Sequence, residues 1–110
     1  MNNKDMATTI LNQLGGNKFI AMTGAKDFLT GGNDITFKIG KNSSKANMIN
    51  IILDDNDTYT MKFIKFTKFR MTKNYEFIEA KTEVLKEEKG IYSDLLQEIF
   101  TEYTGLYTHL

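Results

Sequence analysis

The N-terminal part of the chain spaces its apolar residues as one face of a helix does. In residues 6–14, apolar side chains recur three and four positions apart, which predicts a short amphipathic helix. Asp5 precedes this pattern, and its carboxylate can accept a hydrogen bond from a free N–H of the first turn. Gly15, Gly16 and Asn17 follow, and such residues end helices by adopting a left-handed conformation.

The C-terminal part contains a longer stripe of the same kind, which predicts a second helix. Its apolar positions are Tyr92, Leu95, Leu96, Ile99, Phe100 and Tyr103. Ser93 or Asp94 is expected to cap the start of this helix, and Gly105 its end.

Between the two helices the pattern favours strands. The predicted strands are residues 18–22, 35–39, 48–53, 59–66 and 75–85, with a polar loop at 40–47 and a hairpin turn at 54–57. The alternation that begins at Tyr59 changes parity at Phe63 and Ile64, which predicts a β-bulge or a bend there. In the last strand, Tyr75 and Phe77 are expected to point inward.

This order of elements favours an α+β fold. We expect an antiparallel meander of four or five strands, with an N-terminal and a C-terminal helix packed on one face. The length of 110 residues suits a single domain, residues 1–110. Residues 1–5 are expected to form a flexible tail, and Met6 is an alternative start.

Composition narrows the class of protein. Hydrophobic residues make up 41% of the chain and charged residues 25%, which is typical of a globular domain. The lack of cysteine excludes disulfides and thiolate-bound zinc. No apolar run approaches the ~20 residues of a membrane span, and the N-terminus lacks the apolar core of a signal peptide. We therefore expect a cytoplasmic protein that uses no cofactor and no metal.

The charges are unevenly distributed, although the net charge is zero. Residues 62–75 carry five basic residues and no acidic one, interleaved with aromatic residues. Cations attract phosphates and aromatic rings stack on bases, so this run is a candidate nucleic-acid interface. Its residues are Lys62, Lys65, Phe66, Lys68, Phe69, Arg70 and Lys73. The alternative is an ordinary strand with phenylalanines inside and lysines in solvent, and the exposure of Phe66 and Phe69 distinguishes the two.

Three other motifs are weaker. The turn at 54–57 lacks the glycine and glutamate of a calcium loop. The segment from Thr23 to Lys26 departs from a phosphate-binding loop, although Lys26 stays a candidate anion contact. His109 is the only histidine and stands next to the C-terminus, where residues are usually mobile. No catalytic residue is therefore assigned.

The C-terminal helix offers a second candidate interface, for a protein partner. Its acidic outer face and its last aromatic residues are Asp94, Glu98, Glu102, Tyr103 and Tyr107. The alternatives are a solvated helix face and aromatic residues that close the core.

Two segments carry a resemblance. Residues 14–26, LGGNKFIAMTGAK, look like the opening of a small uncharacterised family of bacteriophage and mobile-element proteins. Residues 92–110, YSDLLQEIFTEYTGLYTHL, are similar to the closing segment of that family. The resemblance implies a phage or prophage protein in a bacterial cytoplasm, and it assigns no functional residue.

We therefore expect a non-enzymatic interaction protein that binds a host or phage macromolecule, with bacterial defence components among the candidate partners. The alternatives are a nucleic-acid-binding module that uses residues 62–73 and a small-ligand binder.

Overall fold

A single five-stranded sheet organises the molecule. The computed structural model describes residues 3–106, and the side chains of residues 5–106. The elements are α1 (Asn3–Leu14), α2 (Asn17–Thr23), β1 (Lys26–Thr30), β2 (Asp34–Lys38), β3 (Met48–Leu53), β4 (Tyr59–Thr67), β5 (Arg70–Met71), β6 (Phe77–Ile78), β7 (Lys81–Ile91) and α3 (Leu96–Thr104). The antiparallel sheet has the order β1-β2-β3-β4-β7, and β5 pairs with β6 separately. The predicted α+β meander is confirmed.

The core lies between this sheet and the helices, because the alternating strands bury one face against them. Phe19 of α2 joins the layers: its ring centroid lies 5.6 Å from that of Phe37 on β2 and 5.1 Å from that of Phe100 on α3. Both contacts have the edge-to-face geometry that aromatic pairs favour. The largest fully buried side chains are Phe19, Phe37, Phe63, Phe100, Ile10, Leu14, Ile35, Ile49, Ile51, Met61, Ile91 and Leu96.

The first helix begins earlier than the apolar pattern indicates. It starts at Asn3, so residues 3–5, which the sequence assigned to a tail, are helical and Asp5 lies inside the first turn. Its predicted end is confirmed: Gly15 and Gly16 have positive φ, and the Gly16 N–H donates to the Leu11 carbonyl at 2.8 Å.

The predicted strand at 18–22 is wrong, because this segment is the helix α2. Phe19 and Thr23 are buried one helical turn apart, and the Thr23 hydroxyl donates to the Phe19 carbonyl at 2.7 Å. Gly24 then ends the helix in the left-handed conformation. A short apolar run such as Phe19 to Met22 fits either a buried strand or a short helix.

The predicted irregularity at Phe63 and Ile64 is confirmed. The ladder between β4 and β7 pairs Phe63 with Lys86 but Ile64 with Val84, so Leu85 is an extra residue in β7. Phe63 is buried on the helix side of the sheet and Ile64 is buried as well. Because β4 pairs with β3 without interruption across these two residues, the apolar parity changes through burial of Phe63 and Ile64 on opposite faces of the sheet.

Two predictions for the C-terminal third are wrong. The last strand is β7, Lys81–Ile91, and Tyr75 and Phe77 point into solvent, with 82% and 64% of their surface exposed. They belong to a separate hairpin that includes β5 and β6. Before α3, the chain forms a one-turn 3-10 helix at Ser93–Leu95. Tyr92 and Leu95 are therefore exposed rather than part of a buried stripe.

Of the two predicted caps of α3, the one at its end is present and the one at its start is not. Neither Ser93 nor Asp94 makes a side-chain capping hydrogen bond at its start. Gly105 ends the helix in the left-handed conformation, as predicted. Within residues 3–106, no helix is long and apolar enough to cross a membrane.

Candidate functional site

One end of the sheet collects the basic side chains. The register places Lys26, Lys38, Met48, Ile64 and Val84 in one row across the five strands. The segments at and beyond this row are residues 24–27, 38–47 and 65–83, and we call them the basic end. They contain nine basic and four acidic residues, whereas the rest of the chain contains five basic and ten acidic ones. The neutral chain is therefore strongly dipolar.

A depression of about 300 Å3 lies at the corner of the basic end. We call it the corner pocket, and its lining residues are Lys26, Lys38, Ile39, Asn47, Met48, Phe66 and Lys68. Three segments that are distant in sequence each supply a lysine. One of these charges is partly neutralised, because the Lys38 ammonium lies 3.4 Å from the Asp27 carboxylate.

The loop at 40–47 forms the neighbouring surface and carries Lys41 and Lys45 but no acidic residue. Its shape is held by Asn42, whose side-chain amide donates to the Gly40 and Ala46 carbonyls at 2.8 and 2.7 Å. The loop is also tied to the end of α3, where the Ser43 hydroxyl donates to the Thr104 carbonyl at 3.0 Å. These bonds hold the two lysines on an ordered loop.

Asn47 connects this loop to Phe66 at the end of β4. The Asn47 side-chain amide donates to the Phe66 carbonyl at 2.8 Å, and the Phe66 N–H donates to the Asn47 Oδ1 at 2.8 Å. The side chain thereby takes the place of β3, whose pairing with β4 ends at Ile64. The backbone of Phe66 is thereby held in place, and its half-buried ring lies on the wall of the corner pocket.

The exposed hairpin of residues 68–80, which we call the arm, extends from the same end. Within it, only Thr72 and Ile78 are half-buried, and the other residues are exposed. The Phe69 and Phe77 rings stack on each other with centroids 5.8 Å apart. The radius of gyration, 14.8 Å, exceeds the ~13 Å of a compact domain of this length, which agrees with a projecting element.

The loop of the arm places a tyrosine in an unfavourable backbone conformation. Thr72 and Glu76 close the loop, with the Thr72 N–H donating to the Glu76 carbonyl at 2.8 Å. Tyr75, its third residue, has φ of 62°, a left-handed conformation that favours glycine or asparagine. A strained residue that is also a fully presented aromatic group is a candidate for function.

The predicted nucleic-acid residues are divided among three places. Phe66 and Lys68 line the corner pocket, while Phe69, Arg70 and Lys73 lie exposed on the arm. The positive charges of the first two lysines of the run are partly balanced by acidic residues on β7: Lys62 stands opposite Glu87, and Lys65 stands opposite Glu83. The run of 62–73 therefore does not form one continuous basic face.

The predicted protein interface on the C-terminal helix is only partly a surface. Asp94, Glu98 and Glu102 are exposed. Tyr103 instead packs on the core, with its ring centroid 4.3 Å from that of Phe63, and the Lys86 ammonium lies 5.9 Å from the Tyr103 ring. Tyr107 and His109 lie outside the described residues.

Sequence reasoning did not join the lysines at positions 38, 41 and 45 to the basic run, and it left Lys26 as an isolated candidate. One signal was present: from Ile35 to Leu53 the chain contains three lysines and no acidic residue. Only the pairing of β1, β2, β3 and β4 shows that Lys26 and Lys38 line the same pocket as Lys68, and that Lys41 and Lys45 line the depression next to it.

Among residues 3–106, no group of three or more histidine, cysteine, aspartate or glutamate side chains is placed to hold a metal ion. Comparisons with protein-family models, curated proteins and solved structures found no match to this chain.

Proposed function

We propose that this chain is a nucleic-acid-binding module that holds phosphate groups at its basic end. The observation that carries the proposal is the concentration of nine basic against four acidic residues in segments 24–27, 38–47 and 65–83. Phosphate contacts dominate the affinity of most nucleic-acid-binding proteins, and a local field attracts the ligand even when the net charge is zero. The proposed role is binding, without a chemical step.

The arm supports the same proposal. Two-stranded ribbons are established nucleic-acid readers, and this one carries Arg70 and Lys73 beside exposed aromatic rings. Glu76 and Glu79 on the return strand reduce the field of the arm, so we assign the main electrostatic contribution to the lysines around the corner pocket. The phage or prophage setting stays a prediction from the resemblance, and the cytoplasmic location stays a prediction from the composition and the resemblance.

Fluorescence anisotropy with labelled DNA and RNA oligonucleotides tests this function. At low salt the parent protein should bind, and the affinity should fall steeply as salt is added. Lys26→Ala and Lys68→Ala should each weaken binding, whereas Lys89→Ala, at the opposite end of β7, is the matched control with one lysine removed. Absence of binding to every oligonucleotide at low salt would overturn the proposal.

A second candidate is docking of a protein partner through the arm. It is favoured by the exposed cluster of Phe69, Met71, Tyr75 and Phe77, since such clusters mark interaction surfaces. Affinity capture from nuclease-treated bacterial lysate would separate the two candidates. A protein captured by the parent and by Lys26→Ala, but lost with Phe69→Ser and Phe77→Ser, would favour protein docking.

A further inference from the structure

The size of the corner pocket limits what part of a nucleic acid can enter it. Its volume of about 300 Å3 lies at the lower end of the range of ligand pockets and suits one nucleotide. In a duplex each base is paired and stacked, so its ring faces are covered. An unpaired base has a free face that can lie on an aromatic ring.

Phe66 provides such a ring. It lines the corner pocket and is half-buried, and none of the other rings among residues 5–106 stacks on it. Its backbone is held by the two hydrogen bonds with Asn47, each 2.8 Å long. Because the backbone that carries the ring is held before binding, little backbone freedom is lost when a base stacks on the ring.

The lysines around Phe66 are placed to bind the phosphates on either side of a base that stacks on this ring. Lys26 lies in β1 and Lys68 at the start of the arm, and both line the pocket. The Lys38 ammonium also lines it but forms an ion pair with the Asp27 carboxylate at 3.4 Å. A second depression of about 320 Å3 borders the pocket through Ile39 and Asn47. It is lined by Lys41 and Lys45, so it offers a path for the next nucleotide.

We propose that the corner pocket binds an unpaired nucleotide of a single-stranded nucleic acid. The base stacks on Phe66, the flanking phosphates lie on Lys26 and Lys68, and the strand continues along the loop at 40–47. This inference rests on the proposed nucleic-acid-binding function and names its ligand as a single strand.

Anisotropy titrations with one oligonucleotide, single-stranded and then as a duplex, test the inference. The parent should bind the single strand more tightly than the duplex. Phe66→Leu should weaken single-strand binding roughly tenfold, the scale of one base–aromatic stack, with little effect on the duplex. Phe66→Trp should restore binding, because it retains an aromatic face. Thermal unfolding of each variant checks that the fold is intact.

Lys26→Ala and Lys68→Ala test the inference in a second way, without changing the half-buried ring. Each should weaken single-strand binding about fivefold at low salt, and Lys89→Ala should not. A free nucleoside monophosphate should compete weakly. The inference is overturned by tighter duplex binding, by unchanged affinity in folded Phe66→Leu, or by a mononucleotide that binds as tightly as the strand. Binding of duplex alone would leave the proposed function standing, whereas no binding at all would remove both.

Discussion

Two hairpin loops of this molecule share a backbone geometry and differ in almost everything else. The loop between β3 and β4, residues 55–57, and the loop of the arm, residues 73–75, each have three residues, the third with φ of 62°. In the first loop that residue is Asp57, a type that tolerates the left-handed conformation, and in the second it is Tyr75, which does not. The residue type of the first loop therefore suits its backbone, and the second loop retains a strained backbone at Tyr75.

The strands below the two loops differ as well. Below the first loop, the side chains of Thr58 and Thr60 are buried and donate to Asn56 and Asp54, each at 2.8 Å. Below the second loop, Met71 and Phe77 are exposed on a two-stranded ribbon. The first hairpin therefore contributes to the core, whereas the second leaves its apolar side chains exposed to solvent.

The largest expected effect separates these roles by stability. Phe63→Ala in β4 removes a fully buried ring and should lower the free energy of unfolding by about 3–5 kcal/mol. Phe77→Ala on the arm should change it by no more than about 0.5 kcal/mol, as expected for an exposed position. Urea unfolding followed by circular dichroism measures both. Equal losses would mean that the arm is part of the core.

The next effect separates the loops by charge. Arg70→Glu with Lys73→Glu should lower nucleic-acid affinity about a hundredfold at low salt, because each substitution replaces attraction by repulsion. Asp55→Lys with Asp57→Lys makes a charge change of the same size and opposite sign at the other loop, and it should not lower the affinity. Anisotropy titrations at one salt concentration compare them, and similar losses from both pairs would contradict the assignment.

The strain at Tyr75 gives a smaller effect with opposite signs on stability and binding. Tyr75→Asn should raise the free energy of unfolding by about 1 kcal/mol, since asparagine tolerates left-handed backbone. It should also weaken binding about fivefold through the loss of an aromatic face. Asp57→Asn, the matched control, should change both quantities little. A variant that gains stability at full affinity would show that Tyr75 has no part in binding.

The smallest effect concerns Tyr59, at the buried start of β4. Burial raises the pKa of its phenol above the ordinary value of 10.0, a hydrogen bond with Gln13 lowers it, and the charge of Asp57 raises it. Because the pKa of Tyr59 is higher in the folded than in the unfolded protein, the protonated phenol favours the folded state over the phenolate. This contribution to the free energy of unfolding is complete below about pH 10 and is lost as the pH rises through the folded pKa. Tyr59→Phe should remove this alkaline loss, and Tyr75→Phe should retain it.

The same contrast explains what the sequence could predict. The spacing of apolar residues predicts an element correctly where its buried side chains pack in the core. This is the case for α1, β2, β3, β4 and the register change at Phe63. Local patterns failed at Phe19, where a short apolar run fits a strand or a helix. Local patterns also failed at Tyr75 and Phe77. Alternating aromatic residues predict a strand with a buried face, but they do not show whether another element packs on that face.

The candidate site was harder to predict, because it is a product of strand pairing. Phe66 and Lys68 were identified from the basic-aromatic run. Lys38 stands 30 residues before Lys68 in the chain, and no local pattern joins them. Their proximity depends on the register of β2, β3 and β4, which joins separate segments into one basic end.

The salt dependence of single-strand binding tests the central claim most directly. The logarithm of the association constant should fall linearly with the logarithm of the salt concentration. The slope should become shallower by about 0.7 for each lysine removed, first Lys26 and then Lys68, while Lys89→Ala leaves it unchanged. An identical slope in the parent and in the double variant would contradict the claim that the basic end holds the phosphates.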